Sequence, residues 1–352
     1  MSVMNARSRP LIPRSGSRRP ARGALAGALI AGLLALTACG TGTAEEDGRM
    51  TVVASFYPME FLAEEIGGEH VSVSPLTKPG VEPHDLEISP RQTAELGEAG
   101  LVVYLKGFQP AVDRAVEQSG PEHVAEAGSY TELVEHGGGH EEEGHREESG
   151  EHGEVEAGHE EEHGEEHGGE HEGHEHGEGA LDPHVWLDPV KYAEMAEGVG
   201  KALAEADPDH AADYRENAGE LAGKLRDLDA DFRAGLKDRR TDTFVTTHAA
   251  FGYLAERYGL HEESIAGLDP ESGPSGAHLR ELHTVVEEDG VGTVFLEPGA
   301  DGGAAESLAA DLKLRTDVLD PVEGVSDGSR GEDYLEIMRA NLQALRKALG
   351  AR

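Results

Sequence analysis

The chain has 352 residues, with 70 acidic and 30 basic side chains and a formal net charge of −40. This balance argues against a nucleic-acid-binding protein, because such a protein needs a basic surface that neutralises phosphates. An acidic chain favours cations as partners instead. The length is sufficient for one large or two ordinary domains.

The N-terminal 38 residues have the pattern of a secretory signal peptide. Residues 1–22 carry six arginines and no acidic residue, and an apolar stretch follows at residues 24–38. A basic segment followed by a short apolar segment is typical of export signals. The apolar stretch is shorter than the roughly 20 residues that a membrane-spanning helix needs. We therefore expect an exported protein, and Arg18-Arg19 leave open whether export uses the general or the twin-arginine route.

The only cysteine of the chain, Cys39, directly follows this signal. The sequence Leu36-Thr37-Ala38-Cys39-Gly40 resembles a bacterial lipobox, which implies cleavage before Cys39 and lipidation of its thiol. We therefore predict that acyl chains anchor the protein on the outer face of the cytoplasmic membrane, with residues 39–49 as a flexible tether. The alternative is a plain signal peptide followed by an incidental cysteine.

Beyond the tether, short β-branched segments alternate with helical ones. This alternation predicts an α/β protein with mostly parallel sheets. The predicted strands are residues 51–56, 71–76, 101–105, 243–247, 291–296 and 316–319, and the predicted helices are 58–67, 90–99 and a segment ending at 258.

One long segment, residues 207–238, separates the two α/β halves. Its apolar residues recur at intervals of three or four, which predicts a helix of about 45 Å with one apolar face. We interpret this helix as a rigid connector between two Rossmann-like lobes, at residues 50–206 and 239–352. A coiled-coil partner helix is the alternative. The apolar positions are Tyr214, Ala218, Leu221, Leu225, Leu228, Phe232 and Leu236.

A low-complexity insert at residues 135–180 interrupts the first lobe. Residues 135–178 contain ten histidines, eighteen glutamates and twelve glycines. This composition predicts disorder, since it cannot bury enough apolar surface to offset the ordering entropy. Neutral imidazole binds zinc, copper and nickel, so we interpret the insert as a low-affinity metal-collecting loop rather than a merely solvating acidic linker. Its histidines are His136, His140, His145, His152, His159, His163, His167, His171, His174 and His176.

Three histidines outside the insert lie in loops or at a strand end. His84 falls between a predicted strand and a predicted helix, His184 lies in Asp182-Pro183-His184-Val185-Trp186, and His248 follows the strand core of residues 243–247. Loops at the ends of strands are where α/β proteins bind ligands. Each histidine alone would more often be a surface or locally bonded residue, so the interpretation depends on the set.

Further motifs accompany these histidines, namely Ser55-Phe56-Tyr57-Pro58, Phe295-Leu296-Glu297-Pro298, Asp333-Tyr334 and Asn341-Leu342. Together, over residues 50–350, they resemble the zinc and manganese substrate-binding proteins of ABC importers. Zinc-specific members carry a histidine-rich insert between the first two histidine motifs, as this chain does. The resemblance implies two lobes joined by one rigid helix, with a metal site in the cleft.

The resemblance implies that His84 and His184 bind the metal from the first lobe and that His248 and Asp333 bind it from the second. For Asp333 the alternatives are a water molecule as the fourth ligand and a carboxylate that only faces a helix N-terminus. Glu297 is interpreted as structural. Three imidazoles and one carboxylate suit tetrahedral Zn²⁺, whereas Mn²⁺ prefers more oxygen ligands. Members that favour manganese tend to have a carboxylate at the position of His248, so the resemblance favours zinc.

The function implied is that of a monomeric extracytoplasmic lipoprotein that captures Zn²⁺ and delivers it to an ABC permease and its ATPase on separate chains. The alternatives are a manganese-specific or mixed-metal importer component, and a surface metal buffer or adhesin. A metalloenzyme would need a zinc position open to water, which Asp333 as a ligand would fill. We therefore expect a binding protein and not an enzyme.

Overall fold

The structure is a computed structural model that describes residues 45–46, 48–136, 181–270, 273–299 and 302–352. The predicted signal peptide, Cys39, most of the tether and every insert histidine except His136 lie outside these residues. The described residues belong to one compact unit. None of the helices in these ranges combines the length and the apolar character needed to cross a bilayer.

The first sheet has five strands and belongs to the N-terminal half. They are β1 (Glu45–Glu46), β2 (Arg49–Ala54), β3 (Val71–Pro75), β4 (Leu101–Tyr104) and β5 (Val124–Glu126). Strand β2 pairs in parallel with β3 and β4, and β4 pairs in parallel with β5, whereas β1 is antiparallel to the start of β2. All four residues of β4 are buried, as is typical of a parallel strand that is covered on both faces.

Four helices accompany this sheet, and two of them begin with a side-chain N-cap. They are α1 (Tyr57–Gly67), α2 (Pro90–Glu98), α3 (Pro110–Ser119) and α4 (Pro189–Ala206). Ser89 and Gln92 form a capping box at the start of α2. The carboxylate of Asp188 accepts the first free N–H groups of α4. Such caps stabilise a helix start by about 1 kcal/mol, and here they fix the ends of the loops that carry His84 and His184.

The second sheet has four strands, namely β6 (Thr243–Thr246), β7 (His261–Ser264), β8 (Thr293–Leu296) and β9 (Arg315–Val318). All four are parallel, in the order β7–β6–β8–β9. The helices around it are α6 (Gly252–Tyr258), α7 (Gly276–Glu288), α8 (Gly303–Leu312) and α9 (Tyr334–Ala348). The prediction of an α/β protein with mostly parallel sheets is therefore confirmed.

The predicted connector of residues 207–238 is a shorter helix preceded by a tight turn. A 3₁₀ turn at Pro208–His210 leads into α5 (Ala211–Gly235). Every apolar position predicted for this segment is buried. Helix α5 packs against α1 and α4 of the first half and against α9 of the second. The domain limits at 50–206 and 239–352 remain our interpretation of this arrangement.

One hydrophobic core is shared by both halves. In β2, Val52 faces this core whereas its neighbour Val53 faces a smaller cluster beneath α2 and α3. In β6, Phe244 faces the shared core and Val245 faces a cluster beneath α7 and α8. Each sheet is thus covered on both faces, and helices α4, α5 and α9 fill the space common to the two lobes. Separating the lobes would expose buried apolar surface to water, at a free-energy cost of about 25 cal/mol per Å². The structure therefore favours small movements of the lobes.

Two buried hydrogen bonds tie the loop around His184 to the C-terminal half. The indole Nε1 of Trp186 donates to the carbonyl of Pro321 (2.8 Å), and the hydroxyl of Tyr334 donates to the carbonyl of Trp186 (2.6 Å). Trp186 and Tyr334 are both fully buried. These bonds therefore hold a segment of the first lobe in a fixed position relative to the second.

We expect the substitution Tyr334→Phe to lower the free energy of unfolding by about 1–3 kcal/mol, because the buried carbonyl of Trp186 loses its donor. Chemical denaturation measures the change. Tyr104→Phe is the matched control, since the Tyr104 hydroxyl makes no hydrogen bond within the described ranges and should cost little. Equal stabilities of the two variants would contradict the assigned role of Tyr334.

Candidate metal centre

Side chains from four separate segments meet at one point in the structure. They are His84, His184, His248 and Glu323, and one ligand atom of each lies within 4.8 Å of all the others. Three of the four are predicted ligands. Asp333, the fourth predicted ligand, is not among them.

His84 lies in the loop between β3 and α2, and a buried amide fixes this loop. The Nε2 of Gln109 donates to the carbonyl of Pro83 (2.9 Å) and to the hydroxyl of Thr77 (3.0 Å). The ring of Phe108 packs edge-on against the imidazole, with centroids 4.5 Å apart. The His84 side chain is 13% exposed, whereas His184 and His248 are 0% and 1% exposed. His84 is therefore the histidine closest to solvent.

His184 precedes the 3₁₀ turn Val185–Leu187 that leads to the cap of α4. Its Nδ1 and its backbone N–H both donate to Oδ1 of Asp182, over 2.8 and 2.9 Å. Asp182 is completely buried. Because Nδ1 carries the proton of this bond, Nε2 is left to face the other ligands, which is the arrangement of a metal-binding histidine with a carboxylate behind it.

His248 follows β6 and is held in the same way from the second lobe. Its Nδ1 donates to Oε1 of Glu297 over 2.7 Å. Glu297 directly follows β8, and the hydroxyl of Thr247 donates to the same oxygen. Glu297 thus orients the imidazole through the far side of the ring, in agreement with its interpretation as a structural residue.

Glu323 completes the group. Its Oε1 lies 3.5 Å from Nε2 of His84, 3.4 Å from Nε2 of His184 and 3.3 Å from Nε2 of His248. None of these four atoms makes a hydrogen bond within the part of the chain that the structure describes, and all four are buried. Buried polar atoms usually make hydrogen bonds, so four buried atoms that face one another without such bonds are a candidate donor set for a metal ion.

Asp333 lies elsewhere, at the N-terminus of α9. Its carboxylate accepts the backbone N–H of Glu336 over 2.8 Å, as an N-cap does. The structure therefore does not bring Asp333 together with the three histidines, and the carboxylate that lies beside them is Glu323. The physical reason is local, because a free N–H at the helix start captures the Asp333 side chain.

The position of Glu323 depends on an unusual turn after β9. Val322, which is fully buried, has a φ of +58°, a left-handed conformation that costs a β-branched residue about 1–3 kcal/mol. The N–H of Val322 donates to Asp320 (2.8 Å), and the backbone of Asp320 is clamped by the side-chain amide of Asn341 over 2.9 and 2.7 Å. This turn aims Glu323 at the histidines. The sequence signal was the Asn341-Leu342 motif, which does not by itself indicate which carboxylate is presented.

Neighbouring charges shift the pKa values of His184, His248 and Glu323. Burial alone would lower the pKa of His184, but Asp182 and Glu323 raise it to about 9. Burial likewise opposes protonation of His248, and Glu297 and Glu323 nevertheless raise its pKa well above the ordinary value. Burial would raise the pKa of Glu323, but the three imidazoles hold it well below the ordinary value. The raised pKa values of His184 and His248 and the lowered pKa of Glu323 thus reflect one set of mutual charge interactions.

Of the insert histidines, only His136 is described, and it does not join this group. Its imidazole bonds to Asp182 and to Glu256. The other nine and the proposed lipidation site Cys39 lie outside the described residues.

The fold and the donor set define a class of protein. It is a two-lobe α/β protein in which loops of both halves bring together four side chains that could hold a metal ion, and three imidazoles with one carboxylate suit tetrahedral zinc.

The chain belongs to the family described as zinc-uptake complex component A, periplasmic, whose model matches residues 52–348. It is similar to the high-affinity zinc uptake system protein ZnuA of Bacillus subtilis (strain 168), with 35% identity over 327 residues that cover 90% of this chain and 94% of the relative. It is also similar to the zinc-binding lipoprotein AdcA of Streptococcus pneumoniae (strain ATCC BAA-255 / R6). The match covers 91% of this chain but only 60% of the length of that relative. The family is described as an uptake component, in agreement with the expectation that the chain is not an enzyme.

Solved structures resemble the chain over most of its length. The Zn(II)-bound ZnuA-like domain of AdcA from Streptococcus pneumoniae has 28% identity and a TM-score of 0.66, covering 86% of this chain and 99% of that domain. The laminin-binding protein Lmb of Streptococcus agalactiae, described as bifunctional with adhesin and metal transporting activity, has 29% identity and a TM-score of 0.68, covering 85% and 99%. These matches confirm the predicted family and fold class.

We expect zinc to bind more tightly as the pH rises from 7 to 9. The pKa of His184 is raised to about 9 and that of His248 well above its ordinary value, so zinc must displace protons at neutral pH, and each displaced proton gives about a tenfold change in affinity per pH unit. Because this pKa is raised, the stabilising contribution of the protonated His184 to the metal-free protein is full below its ordinary pKa and is lost as the pH approaches 9. Competition titrations corrected for chelator protonation measure the affinity. A pH-independent affinity would contradict the assignment.

Proposed function

We propose that this chain binds one Zn²⁺ through His84, His184, His248 and Glu323, and delivers it to the membrane permease of an ABC importer. The supporting observation is the set of four buried donor atoms that face one another and make no hydrogen bonds within the described ranges. A buried polar atom without a partner costs about 1–3 kcal/mol, and one cation at the centre of the group satisfies all four atoms.

The donor set favours zinc over manganese. Three imidazole nitrogens and one carboxylate oxygen match the ligands and the coordination number of zinc, whereas Mn²⁺ favours a larger number of oxygen donors. Asp182 and Glu297 behind two of the imidazoles raise the basicity of these ligands, which strengthens their bond to the metal. Copper and nickel also bind imidazole, so exclusion of these metals depends on geometry and supply.

Delivery requires partners on other chains. The family description as a component of an uptake complex supports a membrane permease and its ATPase as these partners. We place the protein outside the cytoplasm, held to the membrane by a lipid on Cys39, and active as a monomer. In this scheme the histidine-rich insert collects Zn²⁺ weakly and the buried site captures it.

The first test compares the two candidate fourth ligands. We expect Glu323→Gln to weaken zinc binding by more than the 10–100-fold that the loss of an outer-shell partner causes, and His248→Ala to abolish the tight site. We expect Asp333→Asn to leave the zinc affinity unchanged, and to leave stability unchanged because asparagine caps a helix as well as aspartate does. Metal analysis and competition titration measure the stoichiometry and the affinity.

The control for these variants is His261→Ala, since His261 is an exposed histidine on an edge strand. Its loss should not change the tight site. Retention of one tight zinc by His248→Ala would contradict the proposed site, and a loss of affinity in Asp333→Asn alone would restore Asp333 as the ligand.

A second test separates an importer component from a metal buffer. The two flanks of the insert lie side by side, because the N–H of Asp182 donates to the carbonyl of Val134 over 3.0 Å. Residues 137–180 can therefore be replaced by a short glycine linker. We expect this deletion to remove weakly bound zinc and to retain one tight site with unchanged affinity, as measured by titration. Loss of nearly all binding would favour the metal buffer.

A further inference from the structure

His136, the first histidine of the insert, shares a buried carboxylate with a proposed metal ligand. Its Nδ1 lies 2.8 Å from Oδ2 of Asp182, and its Nε2 lies 3.1 Å from Oε2 of Glu256 on α6. The other oxygen of Asp182, Oδ1, accepts both N–H groups of His184. Asp182 thus stands between the start of the insert and the metal centre, with one oxygen bonded to each side.

The position of His136 is built into the fold. The ring of Tyr253 packs against the imidazole nearly at right angles, with centroids 4.5 Å apart. A Cβ atom on Gly252 would lie 2.6–2.9 Å from atoms of the His136 side chain, closer than real Cβ contacts, so a glycine at the start of α6 makes room for this ring.

The backbone on either side of the insert is fixed at the same place. The hydroxyl of Tyr253 accepts the N–H of Val134 (2.8 Å) and donates to the carbonyl of Asp182 (3.0 Å). The two flanks also bond directly, from the N–H of Asp182 to the carbonyl of Val134. His136 is therefore held by contacts of its own, and differs from an insert histidine that only carries metal.

We propose that His136 is a positioning residue for the metal ligand His184. By donating to Oδ2, His136 holds the Asp182 carboxylate in the orientation in which Oδ1 accepts from Nδ1 of His184, so that Nε2 of His184 faces the metal. His136, the first histidine of the insert, then belongs to the metal centre. This inference rests on the proposed function of the His84, His184, His248 and Glu323 site.

The test measures zinc affinity and the zinc dissociation rate on the full chain. We expect His136→Leu to weaken the tight site by about tenfold, the lower end of the range for outer-shell partners of a metal ligand, and to speed dissociation accordingly. We expect His136→Asn to stay within about threefold of the unsubstituted chain, because the asparagine amide places an N–H close to the position of Nδ1. His140→Leu, a substitution of the same kind within the insert, and the deletion of residues 137–180 should leave the tight site unchanged.

A spectroscopic readout separates positioning from general stabilisation. The Nδ1 proton of His184 is hydrogen-bonded and buried, so it should give a slowly exchanging imidazole N–H signal in the NMR spectrum of the zinc-loaded protein. We expect this signal to shift or broaden in His136→Leu and to be restored in His136→Asn, whereas a change in stability alone would not move it.

The outcomes distinguish this inference from the proposed function. If the unsubstituted chain binds one tight zinc that His248→Ala removes, and His136→Leu changes neither the affinity nor the His184 signal, the inference is overturned and the proposed function stands. Equal losses in His136→Asn and His136→Leu would also overturn it, because the donated hydrogen bond would then not be the cause. Absence of a tight zinc in the unsubstituted chain would overturn the proposed function itself.

Discussion

Burial of the Glu323 carboxylate among three imidazoles is the interaction on which the rest of the structure depends. An ionised carboxylate that is removed from water requires positive charge or donated hydrogen bonds close by. The imidazoles supply positive charge when they carry protons, and a divalent cation supplies it when the imidazoles are neutral. The two compensations exclude one another, because a protonated Nε2 has no lone pair for a metal. Capture of a metal by this site is therefore also a release of protons.

The fold keeps the three imidazoles close to the Glu323 carboxylate by fixing the orientation of each ring. Each lobe holds one imidazole through a buried carboxylate on the far side of the ring, Asp182 behind His184 and Glu297 behind His248. His84 is held by the packing of Phe108 and by its loop. Because the lobes share one hydrophobic core, the proposed ligands from the two halves are held close together. Preorganisation of this kind reduces the ordering that metal binding must otherwise cause.

Charge in and around the site exceeds what the metal alone would balance. Asp182, Glu297 and Glu323 place three carboxylates around a cation of charge +2. His136 bonds to the outer oxygen of Asp182 and partly compensates this excess.

The sequence predicted those parts of the structure that a local pattern of residues determines. The apolar spacing of α5, the alternation of strands and helices, and three histidines in loops each follow from local pattern, and Tyr214, Leu225 and Phe232 are buried as the spacing requires. Glu323 had no such signal, since its direction is set by the left-handed Val322 and by a clamp from Asn341, which lies 18 residues further along the chain. For Asp333 the sequence allowed two roles, metal ligand and helix N-cap. In the structure its carboxylate caps the start of α9. Local pattern also did not set His136 apart, since Gly252 and Tyr253, which contact its ring, lie more than a hundred residues away. Whether a carboxylate or an imidazole can serve a site depends on the contacts that hold its second oxygen or nitrogen. Those contacts come from distant parts of the chain, which no local sequence pattern identifies.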